Sequence, residues 1–127
     1  MTTALKNKSL PQALRAATVA AAMLGGAQLP ALAAPQWCNG TLSNLLVDDG
    51  GGVYVVPSWL GNFIRVCNVN ANLGSITPAT CMNWVSFMRS AAQRGAQTTI
   101  QYSDAPACAS MPSYAAAPYP SYVLIAN

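Results

Sequence analysis

Residues that could perform catalysis are scarce in this sequence. Its 127 residues include no histidine, and the acidic side chains number three, all of them aspartate. A nucleophilic serine or cysteine needs a neighbouring base, and glycoside hydrolysis needs two carboxylates at a set separation. Asp48 and Asp49 are adjacent in a glycine-rich turn and Asp104 precedes Ala-Pro, settings in which Asp normally hydrogen-bonds to nearby backbone. We therefore expect no enzymatic activity and no cofactor.

Four cysteines are the other chemically distinctive residues: Cys38, Cys67, Cys81 and Cys108. Zinc sites typically contain CxxC pairs or histidines, and this sequence has neither. Calcium loops alternate Asp or Asn and end in a distal Glu, a pattern that the sequence at 48–50 lacks. An even number of cysteines in a short exported chain indicates disulfides. We therefore expect two disulfides and no metal.

Aromatic side chains are the remaining candidates for a binding surface, since rings with polar edges suit sugar faces and protein interfaces alike. Five of them form the predicted ligand surface: Tyr54, Trp59, Tyr102, Tyr114 and Tyr119. Tyr54 alternates with Val53 and Val55, so we expect it to point outward. Trp37 adjoins Cys38 and is a candidate to pack over a disulfide. For each ring taken singly, packing within the fold is the commoner role.

The first 33 residues have the organisation of a signal peptide. Basic residues come first: Lys6, Lys8 and Arg15. The apolar run over 16–29 is shorter than the roughly 20 residues that span a bilayer as a helix. Ala31-Leu32-Ala33 has the small-residue pattern of a cleavage site. We place cleavage after Ala33, which predicts a signal peptide at 1–33 and one mature domain at 34–127 that is secreted or periplasmic.

The mature domain is almost uncharged, because three arginines balance three aspartates: Arg65, Arg89 and Arg94 against Asp48, Asp49 and Asp104. Nucleic-acid binding requires an electropositive surface, and anionic membranes attract clusters of basic residues. We therefore expect no nucleic-acid partner and no stable membrane insertion after signal cleavage. Low net charge does not oppose self-association, so a homo-oligomer remains open.

Hydrophobic periodicity predicts five strands and one helix in the mature domain. The strands are predicted at 41–47, 53–56, 62–69, 97–102 and 122–126. The sequence at 48–52 supplies a hairpin turn between the first two. Thr77 and Pro78 form a helix start and Gly95 a helix end, with apolar residues at spacings of three and four between them. The Pro-rich segment 104–121 cannot continue a helix, and its Tyr and apolar content predicts that it wraps onto the domain.

Three strands, a helix and two further strands are the order of the OB-fold, a small and partly open barrel. A plain α+β meander is the alternative; the barrel is favoured because it leaves fewer exposed sheet edges. The predicted fold class is mainly β with one helix, a five-stranded OB-fold-like barrel (β-β-β-α-β-β) with two disulfides.

The barrel also predicts how the cysteines pair. Its first and fourth strands run side by side, which brings Cys38 near Cys108. Cys67 and Cys81 flank the connection from the third strand to the helix. Of the three connectivities that four cysteines allow, we therefore predict Cys38–Cys108 and Cys67–Cys81.

The framework residues form a longer pattern. It runs from Cys38-Asn-Gly-Thr through a glycine hairpin to Val66-Cys67-Asn68, then Thr80-Cys81-x-x-Trp84, a strand ending in Tyr102, Cys108 and a closing apolar strand. In this pattern the mature domain resembles small exported bacterial proteins of OB-fold type and, more distantly, the B subunits of subtilase-type toxins. The resemblance implies a sugar-binding module that assembles as a five-membered ring. No binding residue is carried over from it.

These features predict a secreted, non-catalytic binding module whose partner is a glycan or a protein. The alternative is a small structural or inhibitory protein that docks on an exported enzyme through its Pro/Tyr-rich segment. An exported enzyme ranks third. A glycan array and a pull-down from periplasm would separate a glycan partner from a protein partner.

Overall fold

A computed structural model describes residues 34–126, so the signal peptide predicted for residues 1–33 lies outside the described residues. In chain order the elements are β1 (Ala34–Gly40), β2 (Leu42–Val47), β3 (Gly52–Pro57), β4 (Ile64–Asn68), α1 (Pro78–Arg94), β5 (Thr98–Ala105), a one-turn 3₁₀ helix (Cys108–Ser110) and β6 (Tyr122–Ile125). No helix in this part of the chain is long and apolar enough to cross a membrane.

The six strands form two antiparallel sheets of three strands each. The first sheet has the order β1-β5-β6 and the second sheet the order β2-β3-β4. Thr41 alone separates β1 from β2, so one nearly continuous stretch of chain supplies a strand to each sheet. Within residues 34–126 the two sheets do not close into a barrel. The prediction of mainly β structure with one helix is confirmed, whereas the five-stranded OB-fold barrel is not.

Strand β1 is the element that sequence reasoning missed. Residues 34–40 contain proline and glycine and no β-branched side chain, a composition that strands usually avoid. Pairing with β5 holds this segment extended, with Trp37 opposite Gln101 and Cys38 opposite Ile100. Tertiary pairing thus overrides local propensity here.

Helix α1 begins and ends where the sequence predicted. The Thr77 hydroxyl accepts a hydrogen bond from the Thr80 N–H at 3.2 Å, and Pro78 is the first helical residue. Gly95 adopts a φ of 60°, the left-handed conformation that commonly ends a helix. The buried residues of the helix recur at spacings of three and four: Cys81, Val85, Met88 and Ala91.

Both predicted disulfides are present. Cys38 of β1 joins Cys108 with 5.6 Å between their Cα atoms, and Cys67 of β4 joins Cys81 of α1 with 5.5 Å. The first bond ties the Pro-rich segment to the first sheet, and the second ties the helix to the second sheet. Disulfides of this kind indicate a chain that folds in an oxidising compartment.

The Pro-rich segment wraps onto both sheets, as predicted. The Tyr114 N–H donates to the Phe63 carbonyl at 2.7 Å, and the Tyr114 carbonyl accepts from the Arg65 N–H at 3.2 Å, which binds the segment to β4. Just before β6, the Ser121 N–H donates to the Gln101 carbonyl of β5 at 2.7 Å. Between these points the segment buries Ala117 and Pro120, so it is fixed to the domain rather than free as a linker.

Candidate functional site

Two of the five predicted ligand residues, Tyr54 and Tyr114, meet in one aromatic cluster. The Tyr114 ring centroid lies 6.2 Å from that of Tyr54 and 5.8 Å from that of Phe63. Tyr54 was expected to be accessible, and this is wrong: only 8% of the residue is exposed, because the Pro-rich segment folds over its side of the second sheet. Tyr114, about half exposed, is the accessible ring of the cluster.

The Tyr54 hydroxyl is held in its neutral form. Burial raises the pKa of Tyr54 above its ordinary value of 10.0, and the nearby Asp48 carboxylate raises it further, whereas the Arg65 guanidinium acts in the opposite direction. Asp48 is held in the β2–β3 turn, where its Oδ1 accepts a 2.7 Å hydrogen bond from the Gly52 N–H. This is the local backbone role that the sequence predicted for Asp48. Tyr54 and Asp48 therefore stabilise the hairpin.

Tyr102 and Trp59 belong to the framework rather than to an accessible surface. Tyr102 is completely buried, so its predicted place on a ligand surface is wrong; the reason is that it lies with Ile100 on the face of β5 that packs in the core. Its hydroxyl has no hydrogen-bond partner among the described residues, and burial raises its pKa. Trp59 is half-buried and packs against the core, with its Nε1 likewise buried and unpartnered in the described part of the chain.

Tyr119 is the predicted residue that lines a cavity. Its side chain is 52% exposed and borders a cleft of about 400 Å³, within the usual range for small-molecule sites. The other lining residues come from the loop before α1, the end of β5 and the Pro-rich segment: Ser75, Ser103, Asp104, Pro118 and Ser121. The hydroxyls of Ser103 and Ser121 hydrogen-bond to each other at 2.6 Å across the cleft wall. We call this site the Tyr119 cleft.

The absence of a side chain at Gly74 leaves room for the Tyr119 ring. Gly74 has a φ of 60°, and a Cβ built on it would lie 2.5 Å from the Tyr119 Cε2 and Cζ atoms. Only glycine combines that backbone angle with such a close approach. Paired backbone hydrogen bonds between Leu73 and Ile76, at 3.0 and 3.1 Å, hold the loop that presents Gly74.

The chemistry of the Tyr119 cleft favours a neutral, hydroxyl-rich ligand. Three serine hydroxyls both donate and accept hydrogen bonds, the Asp104 carboxylate accepts them, and the Tyr119 ring offers an apolar face. No arginine is among its lining residues, and Asp104 is the one carboxylate among them. The lining therefore provides binding groups and lacks the paired carboxylates of glycoside hydrolysis. Sequence reasoning found Tyr119 but missed the serines, because single Ser residues in loops form no distinguishing pattern.

A second cleft lies at the C-terminal end of α1 and has a volume of about 370 Å³. Its lining consists of Arg94, Ala96, Gln97 and Ala126. The lining is mostly apolar and has no aromatic ring, so it offers fewer groups to a hydroxyl-rich ligand than the Tyr119 cleft does.

Three exposed aromatic residues were not predicted as ligand residues: Trp37 and Tyr122 on the first sheet and Phe87 on α1. Trp37 lies on the face of β1 opposite to the buried Cys38, so the idea that it packs over the disulfide is wrong. Its indole Nε1 donates a 2.8 Å hydrogen bond to the Tyr122 hydroxyl of β6. The alternation of Trp37 with Cys38 would have indicated an outward ring had β1 been recognised as a strand.

Comparison of the chain with models of protein families, with curated proteins and with solved structures found no match. The function is therefore argued below from the chain's own residues.

Proposed function

We propose that this chain is a secreted, non-catalytic binding module for a glycan or a protein partner, and that a glycan at the Tyr119 cleft is the better supported of the two. The observation that carries the proposal is the composition of that cleft. Three serines, one carboxylate and one exposed tyrosine ring surround a space of about 400 Å³. Sugar hydroxyls can hydrogen-bond to the serines and to the carboxylate, and the C–H face of a sugar ring can pack on the tyrosine ring.

Secretion is part of the proposal. Two disulfides favour an oxidising compartment, and the export signal proposed for residues 1–33 would deliver the chain there. The domain balances its charges, which argues against nucleic acid and against an anionic membrane surface as partners.

We propose that the domain is related to the OB-fold as an open form of its barrel, in which β4 and β6 do not pair with each other. Supporting it, the first sheet (β6-β5-β1) continues through Thr41 into the second (β2-β3-β4), and the helix follows the strand that ends the second sheet. A pentameric assembly like that of the subtilase-type toxin B subunits belongs to the same proposal, and light scattering after size-exclusion chromatography tests it.

A glycan array tests the binding proposal. The protein, produced from its full-length sequence and exported so that both disulfides form, should bind a restricted set of neutral glycans. Tyr119→Ala should weaken that binding at least about tenfold, the loss expected when a central aromatic contact is removed. Phe87→Ala is the matched control, since Phe87 is 53% exposed on α1 and does not line the cleft. No glycan bound by the wild type, or equal binding by Tyr119→Ala, would refute the glycan proposal.

The alternative is an inhibitory or structural protein that docks on an exported enzyme through the Pro/Tyr-rich segment. The exposed Tyr114 ring, fixed beside Phe63 on the second sheet, favours this alternative because a rigid aromatic anchor suits a protein interface. A pull-down from periplasmic extract tests it. Capture that Tyr114→Ala abolishes and Tyr119→Ala preserves would support a protein partner in place of a glycan.

A further inference from the structure

The outer face of the first sheet presents an ordered row of polar and aromatic side chains. Trp37, Gln101 and Tyr122 lie opposite one another on β1, β5 and β6. The inner face of the same strands holds Cys38, Ile100 and Val123, which pack in or against the core. The outer row therefore exposes its two rings, with Trp37 55% and Tyr122 41% exposed, whereas Gln101, between them, is only 7% exposed.

This row is rigid. The Trp37 indole donates to the Tyr122 hydroxyl across the intervening strand at 2.8 Å, and the Gln101 side-chain amide donates to the Tyr102 carbonyl at 2.9 Å. A ring held by a hydrogen bond loses little further side-chain entropy on binding.

A second row lies next to the first one. Asn39, Thr99 and Leu124 are opposite one another on the same three strands, and the Thr99 hydroxyl donates to the Asn39 side-chain carbonyl at 2.6 Å. Among all residues of β1, β5 and β6, Asp104 is the sole charged one. The face therefore combines rings with amide and hydroxyl groups and has almost no charge. We call these two rows the Trp37 platform.

The platform is continuous with the Tyr119 cleft. Ser103 lies two residues from Gln101 on β5, so it belongs to the same face, and it lines the cleft. Ser121, which also lines the cleft, directly precedes Tyr122. A linear ligand seated in the cleft would thus meet the platform next.

The dimensions of the platform favour a chain of sugars over a second copy of the protein. Two strand spacings give a width of about 10 Å, and the stretch from Thr99 to Ser103 gives a length of about 14 Å. A stable protein interface needs roughly 800 Å² from each partner, several times this area. An apolar partner would also cover the exposed Asn39 amide and the Thr99 hydroxyl without supplying the further hydrogen bonds that these groups can make.

We propose that the Trp37 platform extends the Tyr119 cleft into a binding surface for a linear, neutral oligosaccharide, with Trp37 as a stacking residue and Asn39 and Thr99 as hydrogen-bonding residues. This inference rests on the proposed glycan binding at the cleft and adds the ligand's length, its neutral charge and a second set of contacts. The Asp104 carboxylate at the junction disfavours acidic sugars by like-charge repulsion.

Calorimetry with sugars of matched chemistry and different length tests the proposal. The probes are the disaccharide and hexasaccharide series of cellulose, chitin, xylan and mannan, with hexagalacturonate as the acidic counterpart. The wild type should bind a neutral hexasaccharide at least about tenfold more tightly than the corresponding disaccharide, and hexagalacturonate weakly or not at all. Trp37→Ala should remove most of that gain and leave disaccharide binding unchanged, whereas Tyr119→Ala should weaken both.

Two further variants keep the test decisive. Tyr122→Phe keeps the ring and removes the acceptor of the Trp37 hydrogen bond, so it should lower hexasaccharide affinity by less than Trp37→Ala does. Phe87→Ala, on the helix, should change nothing. Each variant is compared only if its thermal unfolding midpoint stays within a few degrees of the wild type.

The outcomes separate this inference from the proposed function. If Tyr119→Ala lowers oligosaccharide affinity, but neither the length of the oligosaccharide nor Trp37→Ala changes it, the platform is refuted and glycan binding at the cleft is supported. If no neutral probe binds the wild type, the platform is refuted; if the glycan array also shows no binding, the proposed function is refuted with it. If light scattering shows an oligomer that Trp37→Ala dissociates, a second copy occupies the face and the oligosaccharide assignment is wrong.

Discussion

The Tyr119 ring lies directly over Gly74, so close that a single methyl group on Gly74 would collide with it. We expect Gly74→Ala to destabilise the protein by about 1–2 kcal/mol from the positive φ alone and to push the ring out of its position in the cleft. Glycan affinity should fall together with stability. Urea unfolding and calorimetry on the same preparation measure the two effects.

Gly61→Ala is the control for this prediction. Gly61 has a similar φ of 71°, but a Cβ built there meets nothing within 4 Å. The control variant should therefore lose a similar amount of stability from backbone strain and retain full glycan affinity. Equal affinity in the two variants would show that the Gly74–Tyr119 contact does not position the cleft.

Tyr102 gives a prediction for alkaline pH. Burial raises its pKa in the folded state above the ordinary value of 10.0, so ionisation is easier in the unfolded chain. The contribution of the neutral Tyr102 to the free energy of unfolding is therefore complete below about pH 10, the pKa in the unfolded chain. It is lost as the pH rises from there toward the folded-state pKa. Tyr102→Phe should remove this part of the decrease in the free energy of unfolding at alkaline pH.

The same substitution should not harm the protein at neutral pH. The Tyr102 hydroxyl is buried and unpartnered among the described residues, and removing such a group is neutral or stabilising by roughly 1–3 kcal/mol. Thermal unfolding of Tyr102→Phe between pH 7 and about pH 11 checks both points, with Tyr119→Phe, on an exposed ring, as the control. A clear loss of stability at pH 7 would mean that the hydroxyl has a partner, such as a buried water.

Elements with strong local rules were predictable from the sequence. The N-cap Thr77, the following proline and Gly95 place helix α1 to the residue, because capping depends on neighbours in the chain. The turn at 48–52 and the pairing of the four cysteines follow from similarly short-range or topological rules.

The unpredicted features depend on contacts between distant residues. Strand β1 has poor strand composition and exists because it pairs with β5, about 60 residues later. Tyr54 is buried by a segment that is 60 residues away in sequence, so alternation along β3 alone could not reveal its exposure. The Tyr119 cleft collects serines from the loop before α1, from β5 and from the Pro-rich segment, and no spacing in the sequence marks them as neighbours.

Tyr114 provides a test of how the Pro-rich segment is fixed. It has a φ of 54°, in the left-handed region that disfavours residues with a Cβ, and its ring packs against Tyr54 and Phe63. Both Tyr114→Ala and Tyr114→Gly lose the ring contacts, but only the glycine variant relieves the backbone. We expect Tyr114→Gly to be as stable as Tyr114→Ala or more stable by about 1 kcal/mol.

That order is the reverse of the usual one, since Gly in place of Ala normally costs roughly 0.5–1 kcal/mol within regular structure. Urea unfolding of the two variants measures the difference. A glycine variant clearly less stable than the alanine variant would contradict the left-handed conformation at residue 114.

The two disulfides should differ in which part of the domain they hold. In the chain-entropy model the Cys38–Cys108 bond, with a sequence separation of 70, contributes about 4 kcal/mol, and the Cys67–Cys81 bond, with a separation of 14, about 3 kcal/mol. This difference in free energy is too small to separate from the destabilisation caused by the cavities that the removed sulfur atoms would leave. Global stability is therefore a poor readout. Local hydrogen exchange is a better one.

Replacing Cys38 and Cys108 together by Ala frees the start of the Pro-rich segment from β1. Exchange should then accelerate at the amides of Ser110 and Ala117, which donate to Ala107 and Tyr114 within that segment, while the first turn of α1 stays protected. Replacing Cys67 and Cys81 together by Ala should do the reverse and accelerate exchange at the backbone amide of residue 81, which in the wild type donates to the Thr77 carbonyl at 2.9 Å. Equal acceleration at both places in both variants would mean that the domain opens as one cooperative unit, and that neither disulfide stabilises its own part of the domain alone.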